Sequence, residues 1–397
     1  MVIDKQQMRK YKKIERPLKV LEFENGIILP LTNTDNVFPF WELGGVCDSN
    51  NQFVHESFYD GGYYEWKEEY CSEECAIYIG LFFQHWGHFL VDLTGRLWAV
   101  RNICAQKPEV RISYVGNQEP DGNYLRFFEL LGVRKEQLLR ISKPTRFKRV
   151  FLPEISFRSC DWYSDEFIKM FNSMSEVSLY PGDVFQGLTK DKKIYFTRTR
   201  LYKARRSESG EKFFENVFRD NGYIVLAPEK LSLDEQIYIW NNAKEIVCIN
   251  GSILLNVIFC NNSDLLITVL NKTSIYHENP DIFLEARGLS AKYLDVYNEP
   301  LKKYPRSLGQ GPFLLKDTKE FKDYCDANGL RHKKGLRVHA YFLLSKLKFS
   351  FHIIALNPVV SKILQKLEFA IHIIAKNPVI KIIKINITNG ICRQKRN

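Results

Sequence analysis

The segment from Lys193 to Leu270 alternates short β-branched runs with helical ones, and this alternation narrows the possible folds more than any other feature of the chain. Ile194–Thr197, Tyr223–Leu226, Glu245–Ile249 and Leu265–Leu270 read as strands. Between them, Ser209–Arg219 reads as a helix closed by Asn221-Gly222. The capping box Ser232-Leu-Asp-Glu235 opens a second helix running to Ala243, and Ser252–Phe259 reads as a third. Strands separated by helices of these lengths specify a parallel sheet covered on both faces. The expected unit is Rossmann-like, with its ligand at the carboxyl ends of the strands.

A chain of 397 residues exceeds one ordinary core, so two domains and an appendage are expected. The boundaries read as an α/β domain over 1–180, the Rossmann-like domain over 190–311, and a helical basic tail over 312–397. In the first, Pro17–Tyr70 reads as strands and turns and His85–Cys104 as a helix. Arg111–Val115 and Arg149–Leu152 read as strands on either side of the helix Tyr124–Leu131. An apolar fraction of 45% is ample for burying these cores.

The tail contains a repeat: the run from Lys346 to Val360 recurs from Lys366 to Ile380, each copy carrying an Asn-Pro pair, at Pro358 and Pro378. The prolines interrupt the helix and let each copy reset its face. Between them Val359, Ile363, Leu364, Leu367, Ile371 and Ile374 share one arc, flanked by Lys362 and Lys366. A basic amphipathic helix of this kind is expected in a membrane interface; docking on the protein's own surface or on a second subunit is the alternative.

The formal charge of +11 predicts an anionic partner without naming it. Basic residues gather in one loop and in the tail, with no interleaved stacking platform, which argues against nucleic acid. Nine cysteines in no framework spacing favour a reducing compartment. The charged N-terminus has no apolar signal stretch, and no run approaches the roughly 18 apolar residues that span a bilayer. The expected location is cytoplasmic, peripheral on the inner face of the cell membrane, with residues 335–397 on its anionic surface.

Three clusters carry candidate chemistry. Helical spacing places His85, His88, Asp92 and Arg96 on one stripe, opposite Trp86, Leu90, Leu93 and Leu97. Such a stripe lines a polar cleft or forms a buried network; Asp92 and His88 suit a general base, and Arg96 suits holding Asp92 ionised. Arg198, Arg200, Lys203, Arg205 and Arg206 follow the strand ending at Thr197, where guanidiniums suit a diphosphate, although a solvated charge run is equally consistent. Asn250-Gly251-Ser252 joins a strand to a helix, and such a turn presents backbone N–H groups to an anion.

Together these residues resemble glycosyltransferase family 61. His88-Phe-Leu-Val-Asp92 with Arg96 is similar to the family's His-Trp-x-x-Asp and following Pro-Arg, and Arg198 with Arg205-Arg206 to its arginine segment. Gly222-Tyr223, Pro228-Glu229, Glu235-Gln236, Asn250-Gly251 and Asn256 follow its C-terminal signature. Asn250 stands where the family usually has His, Ser209-Gly210 where it has Asn-Glu, and Gly95 where it has Pro.

The resemblance implies a GT-B-like α/β architecture, two Rossmann-like domains facing a cleft, with C-terminal amphipathic helices appended here. It also implies an inverting, metal-independent hexosyl- or pentosyltransferase with no cofactor, in keeping with the lack of an Asp-x-Asp motif. Its donor would be a nucleotide-sugar, UDP-linked in expectation, bound by Arg198, Arg205, Arg206, Asn250, Gly251, Ser252, Glu229 and Asn256. Asp92 or His88 on the acceptor-side domain would be the catalytic base, supported by His85 and Arg96. The acceptor would be a polysaccharide or lipid-linked saccharide in capsular or other cell-surface polysaccharide synthesis. The alternative is a catalytically silent nucleotide-sugar-binding or scaffold protein at the membrane; a sulfotransferase is unsupported, because no Gly-Lys-Ser/Thr turn follows an early strand.

Overall fold

The computed structural model describes residues 11–32, 44–57, 63–178, 181–332 and 335–356, apart from the side chains of Val184, Lys203, Arg205 and Arg206. The repeated Asn-Pro segments, and most of the expected amphipathic tail, lie outside the described residues.

The first half is built on one mixed sheet of eight strands: β1 (Val20–Glu24), β2 (Ile27–Leu29), β3 (Gly45–Cys47), β4 (Phe53–Val54), β5 (Tyr70–Leu81), β6 (Arg111–Val115), β7 (Leu138–Arg140) and β8 (Thr145–Pro153). The neighbours β7-β6-β5-β8 are parallel. Numbered by their own sequence order these four run 3-2-1-4, the order of a half-Rossmann unit. Antiparallel strands β1 and β2 then pair with successive parts of β8, and β3 and β4 extend the edge. Sheet order could not be read here because the antiparallel extension precedes the parallel core in sequence yet joins it through its last strand.

The second half matches the expectation more closely. The strands β9 (Lys193–Phe196), β10 (Ile224–Leu226), β11 (Glu245–Ile249), β12 (Leu266–Asn271) and β13 (Ala291–Asp295) pair in parallel throughout. Their spatial order, β10-β9-β11-β12-β13, is the doubly wound 2-1-3-4-5. All of β11 is buried, as a central parallel strand covered on both faces must be.

The capping box forms: the Ser232 hydroxyl accepts from Glu235 N, and Glu235 accepts from Ser232 N at 2.7 Å. Gly210, at φ 103°, holds a left-handed conformation that keeps the preceding Ser209 out of the helix, which spans Glu211–Asp220. Ser252–Phe259 winds as a 3₁₀ helix.

A continuous apolar core joins the halves: Phe127 meets both Phe171 and Phe259, and Phe157 lies against Phe283. Arg126 clamps Asp234 bidentately across the same junction, at 2.8 and 3.1 Å. A second core on the far face of the parallel sheet gathers Phe214, Phe218 and Phe321. Residues 313–330, grouped with the tail on composition, pack into this core through Phe313, Phe321 and Tyr324.

Candidate active site

In an open parallel sheet, neighbouring strands whose connections leave in opposite directions open a crevice at their carboxyl ends. In the second half that switch point lies between β9 and β11. Arg198 follows β9 there, and Asn250-Gly251-Ser252 follows β11. In the first half, the turn His85-Trp86-Gly87-His88 lies just past the carboxyl end of β5.

The two edges meet. A Cβ built on Gly87 would lie 3.4 Å from Ser252 Cβ, so the histidine turn packs directly on the Gly251–Ser252 turn. On the other side, a Cβ on Gly251 would stand 3.1 Å from Arg198 Nη1. Gly251 is extended, with φ 171°, so it is the close approach of the guanidinium, and not backbone conformation, that a side chain here would disturb.

Arg198 is held by a buried ion cluster. Its Nε and Nη2 engage Glu208 at 3.1 and 2.9 Å, and the same carboxylate takes Lys272 Nζ at 2.8 Å. The side chains of Glu208 and Lys272 are each 2% exposed. Burial by itself would raise the Glu208 carboxyl, but Lys272 and Arg198 outweigh it and hold it at about 2. Burial pulls Lys272 down to about 8 against the opposing pull of Glu208.

Glu211 accepts from Arg198 N at 2.6 Å, and burial followed by the Glu208 charge pushes it up to about 7. Two cations thus share one fully ionised carboxylate, with a second carboxyl reluctant to ionise. The cluster keeps surplus positive charge at the switch point, which suits an anionic ligand.

The Asn250 side chain is drawn into a relay along the strand ends. The Asp295 carboxylate can only accept, so Asn271 Nδ2 donates to it at 2.9 Å, and Asn271 Oδ1 in turn takes Asn250 Nδ2 at 2.9 Å. One N–H of the Asn250 amide is engaged by Asn271, and Oδ1 is buried without a hydrogen-bond partner. The position therefore presents an unsatisfied acceptor, which suits a hydroxyl.

The helix expected over His85–Cys104 is broken into a single turn at Trp86–His88, a π turn at Phe89–Leu93, a 3₁₀ turn at Leu97–Ala99 and an α segment at Val100–Gln106. Thr94 Oγ1 bonds back to Leu90 O, and Gly95 O accepts from Ser156, which ends the helical ladder before Arg96.

The fourfold stripe is consequently divided. His88 Nδ1 meets Asp92 Oδ2 at 2.8 Å, and the His85 and His88 rings lie 4.6 Å apart. Arg96 instead turns inward, 7% exposed, donating to the carbonyls of Pro153 and Glu56, so it neither joins the stripe nor holds Asp92 ionised.

Asn256 is also placed elsewhere than expected. It is fully buried, accepts from Trp86 Nε1 at 2.6 Å and donates to Gln236 at 2.7 Å, so it clamps the two halves and has no surface for a donor. Glu229 is exposed on the turn after β10, near enough to Arg198 to act on its charge. Arg205 and Arg206 lie on the short helix Tyr202–Ser207, with side chains outside those described.

Glu208, Glu211 and Lys272 escaped the sequence reading. Lys272 could have been found, since it directly follows β12 on the same sheet edge. Glu208 carries no such signal, because only its two-residue pairing with Phe313-Leu314 turns it back toward Arg198. Among the described residues, no group of three or more His, Cys, Asp or Glu is arranged to hold a metal ion.

No curated protein matches the chain. The family model Glycosyltransferase 61 matches residues 86–267, a span that contains both His88–Asp92 and the Arg198–Gly251 edge. His88, Asp92, Arg198, Glu208, Glu211 and the Asn250–Ser252 turn thus fall within a region similar to Glycosyltransferase 61, a likeness that implies glycosyltransferase activity, while His85, Asn271, Lys272 and Asp295 lie outside it.

Proposed function

We propose that the protein is an inverting glycosyltransferase that needs no bound metal and moves a hexosyl or pentosyl unit from a UDP-linked donor to a saccharide or lipid-linked saccharide in capsular or other cell-surface polysaccharide synthesis. In this reading the parallel core of the first sheet and the second sheet are Rossmann-like units of a GT-B-like pair, with the acceptor on the first and the donor on the second. The observation that carries it is the packing of a His–Asp pair against an arginine-lined switch point, through Gly87 and Ser252.

The division of labour follows from hydrogen-bond chemistry. An ionised Asp92 only accepts, so it fixes the proton of neutral His88 on Nδ1 and leaves Nε2 as the base. His88 Nε2 takes the proton from the acceptor hydroxyl as that oxygen bonds to the anomeric carbon. The bond from that carbon to the donor phosphate breaks, and its electron pair leaves on the diphosphate.

Arg198 and the backbone N–H groups of Ser252 and Ile253, which precede the first bond of their helix, neutralise the departing charge. Asn250 Oδ1 accepts from a ribose or sugar hydroxyl. A single displacement of this kind inverts the anomeric centre. Asp92 here is a positioning residue and His88 the base.

The test is a panel of nucleotide-sugars and acceptors, with released UDP and product anomeric configuration followed by NMR. His88→Ala should lower kcat about 10²- to 10⁴-fold with UDP affinity unchanged. A product of retained configuration, or a fully active His88→Ala, would overturn the mechanism. One observation favours the silent-protein reading: Asn250 supplies no charge where the family usually has His, and its amide is tied to Asn271. Tight UDP binding without turnover for every donor and acceptor would establish that reading instead.

A further inference from the structure

The helix Leu336–Ala355 has two unlike faces. At about 100° per residue, Val338, Tyr341, Phe342, Ser345 and Phe349 share one side. Ser345 and Phe349 are buried, and Phe342 and Tyr341 pack on Phe213 with ring centroids 5.0 and 6.4 Å away. The opposite side carries Leu336, Leu343, Leu344, Leu347, Phe351 and Ile354, an apolar arc about 100° wide. Leu336 is 89% exposed, Phe351 71%, Leu344 64% and Leu343 62%, far beyond the scattered apolar residues of an ordinary surface.

Charge identifies what covers it. Arg337 and Lys348 border the arc on one side and Lys346 and His339 on the other, and the helix contains no acidic residue. Residues 331–397 hold fourteen Lys and Arg and one acidic residue, Glu368. Residues 1–330 hold 43 Lys and Arg against 45 Asp and Glu, so the whole positive excess of the chain lies in this last segment. An apolar strip edged by long basic side chains fits an anionic lipid surface: the strip enters the interface while the basic heads reach the headgroups. Among the described residues no helix is long and apolar enough to cross a membrane.

We propose that Leu336–Ala355 is a membrane-docking helix whose exposed arc lies in an anionic lipid interface. Its buried face contacts both the helix Tyr202–Ser207 and the strand Glu208–Ser209. Glu208 is the residue that braces Arg198, so docking sets the arginine edge of the site beside the lipid surface. If the transferase reading holds, the acceptor is then presented from the membrane on a lipid carrier. The docking itself rests on the helix alone.

The full chain is to be sedimented with vesicles of phosphatidylcholine, with and without phosphatidylglycerol, and UDP release from the panel of soluble donors and saccharide acceptors measured in the same samples. The expected result is binding to the anionic vesicles only, weakened by salt. Leu343→Asp/Leu347→Asp/Phe351→Asp should reduce it by about tenfold or more, with melting temperature and UDP release unchanged. Lys346→Glu/Lys348→Glu should reduce the anionic preference without touching the apolar arc.

Failure of the wild-type chain to bind anionic vesicles overturns the proposal. So does undiminished binding of the triple variant, which would assign the contact to residues 357–397. A dimer lost in that variant would assign the arc to a second copy. Lack of UDP release by the wild-type chain speaks against the transferase function and leaves the docking result standing.

Discussion

Replacing Glu208 by Gln tests the ion cluster behind Arg198 where it is most exposed to refutation. Holding the Glu208 carboxyl at about 2, against an ordinary 4.5, corresponds to about 3 kcal/mol favouring the folded state at neutral pH. Glu208→Gln forfeits this contribution and leaves Arg198 and Lys272 buried without their shared counter-ion, so a total loss of about 3 to 5 kcal/mol is expected at pH 7.

The folded-state value lies below the unfolded one. The contribution is therefore present above pH 4.5 and is lost as pH falls through 4.5 toward 2. Urea unfolding of wild type and variant across pH 7 to 3 should show the gap between them narrowing over that window. Adding Lys272→Met removes the second cation and should recover part of the loss, giving a coupling of about 1 to 3 kcal/mol in the double-mutant cycle. A penalty below about 1 kcal/mol at pH 7, or one that stays constant to pH 3, would refute the cluster as the device holding Arg198.

Glu211→Gln should do the opposite. Its folded-state carboxyl is raised to about 7, so wild type loses up to about 3 kcal/mol as pH rises from 4.5 through 7, and the variant should be the more stable protein above pH 7 and no better near pH 4, as read from the same urea series. Asn256→Ala leaves Trp86 Nε1 and Gln236 unpaired and should cost about 2 to 3 kcal/mol in chemical denaturation, with UDP affinity of the folded protein unchanged by calorimetry. Gly251→Ala crowds Arg198 Nη1 by a few tenths of an ångström and should weaken UDP binding by up to about tenfold while leaving the melting temperature near wild type, since one buried charged hydrogen bond is worth about 1.5 to 3 kcal/mol.

The sequence by itself determined whatever a local period can encode. The alternation from β9 to β12 gave strands, helices and parallel pairing, because an apolar run such as Ile246–Ile249 between amphipathic helices has few other ways to bury itself. The capping box at Ser232 was legible for the same reason: its two hydrogen bonds lie within one turn. The switch-point residues Arg198, Asn250 and Gly251 were legible because they follow strands whose ends could be read.

Only the tertiary structure decided what those residues do. Helical spacing put Arg96 beside Asp92, but Ser156 holding Gly95 ended the helix, and the guanidinium went to two distant carbonyls. Asn256 sits in the family signature as a donor residue would, yet Trp86, 170 positions earlier, takes its oxygen. The direction of the Asn250 amide was set by Asp295, two strands away, through a relay that no window on the sequence spans. Hydrogen-bond polarity, desolvation and ion sharing act through space between segments far apart in the chain, whereas periodicity records only which side of one element meets the core.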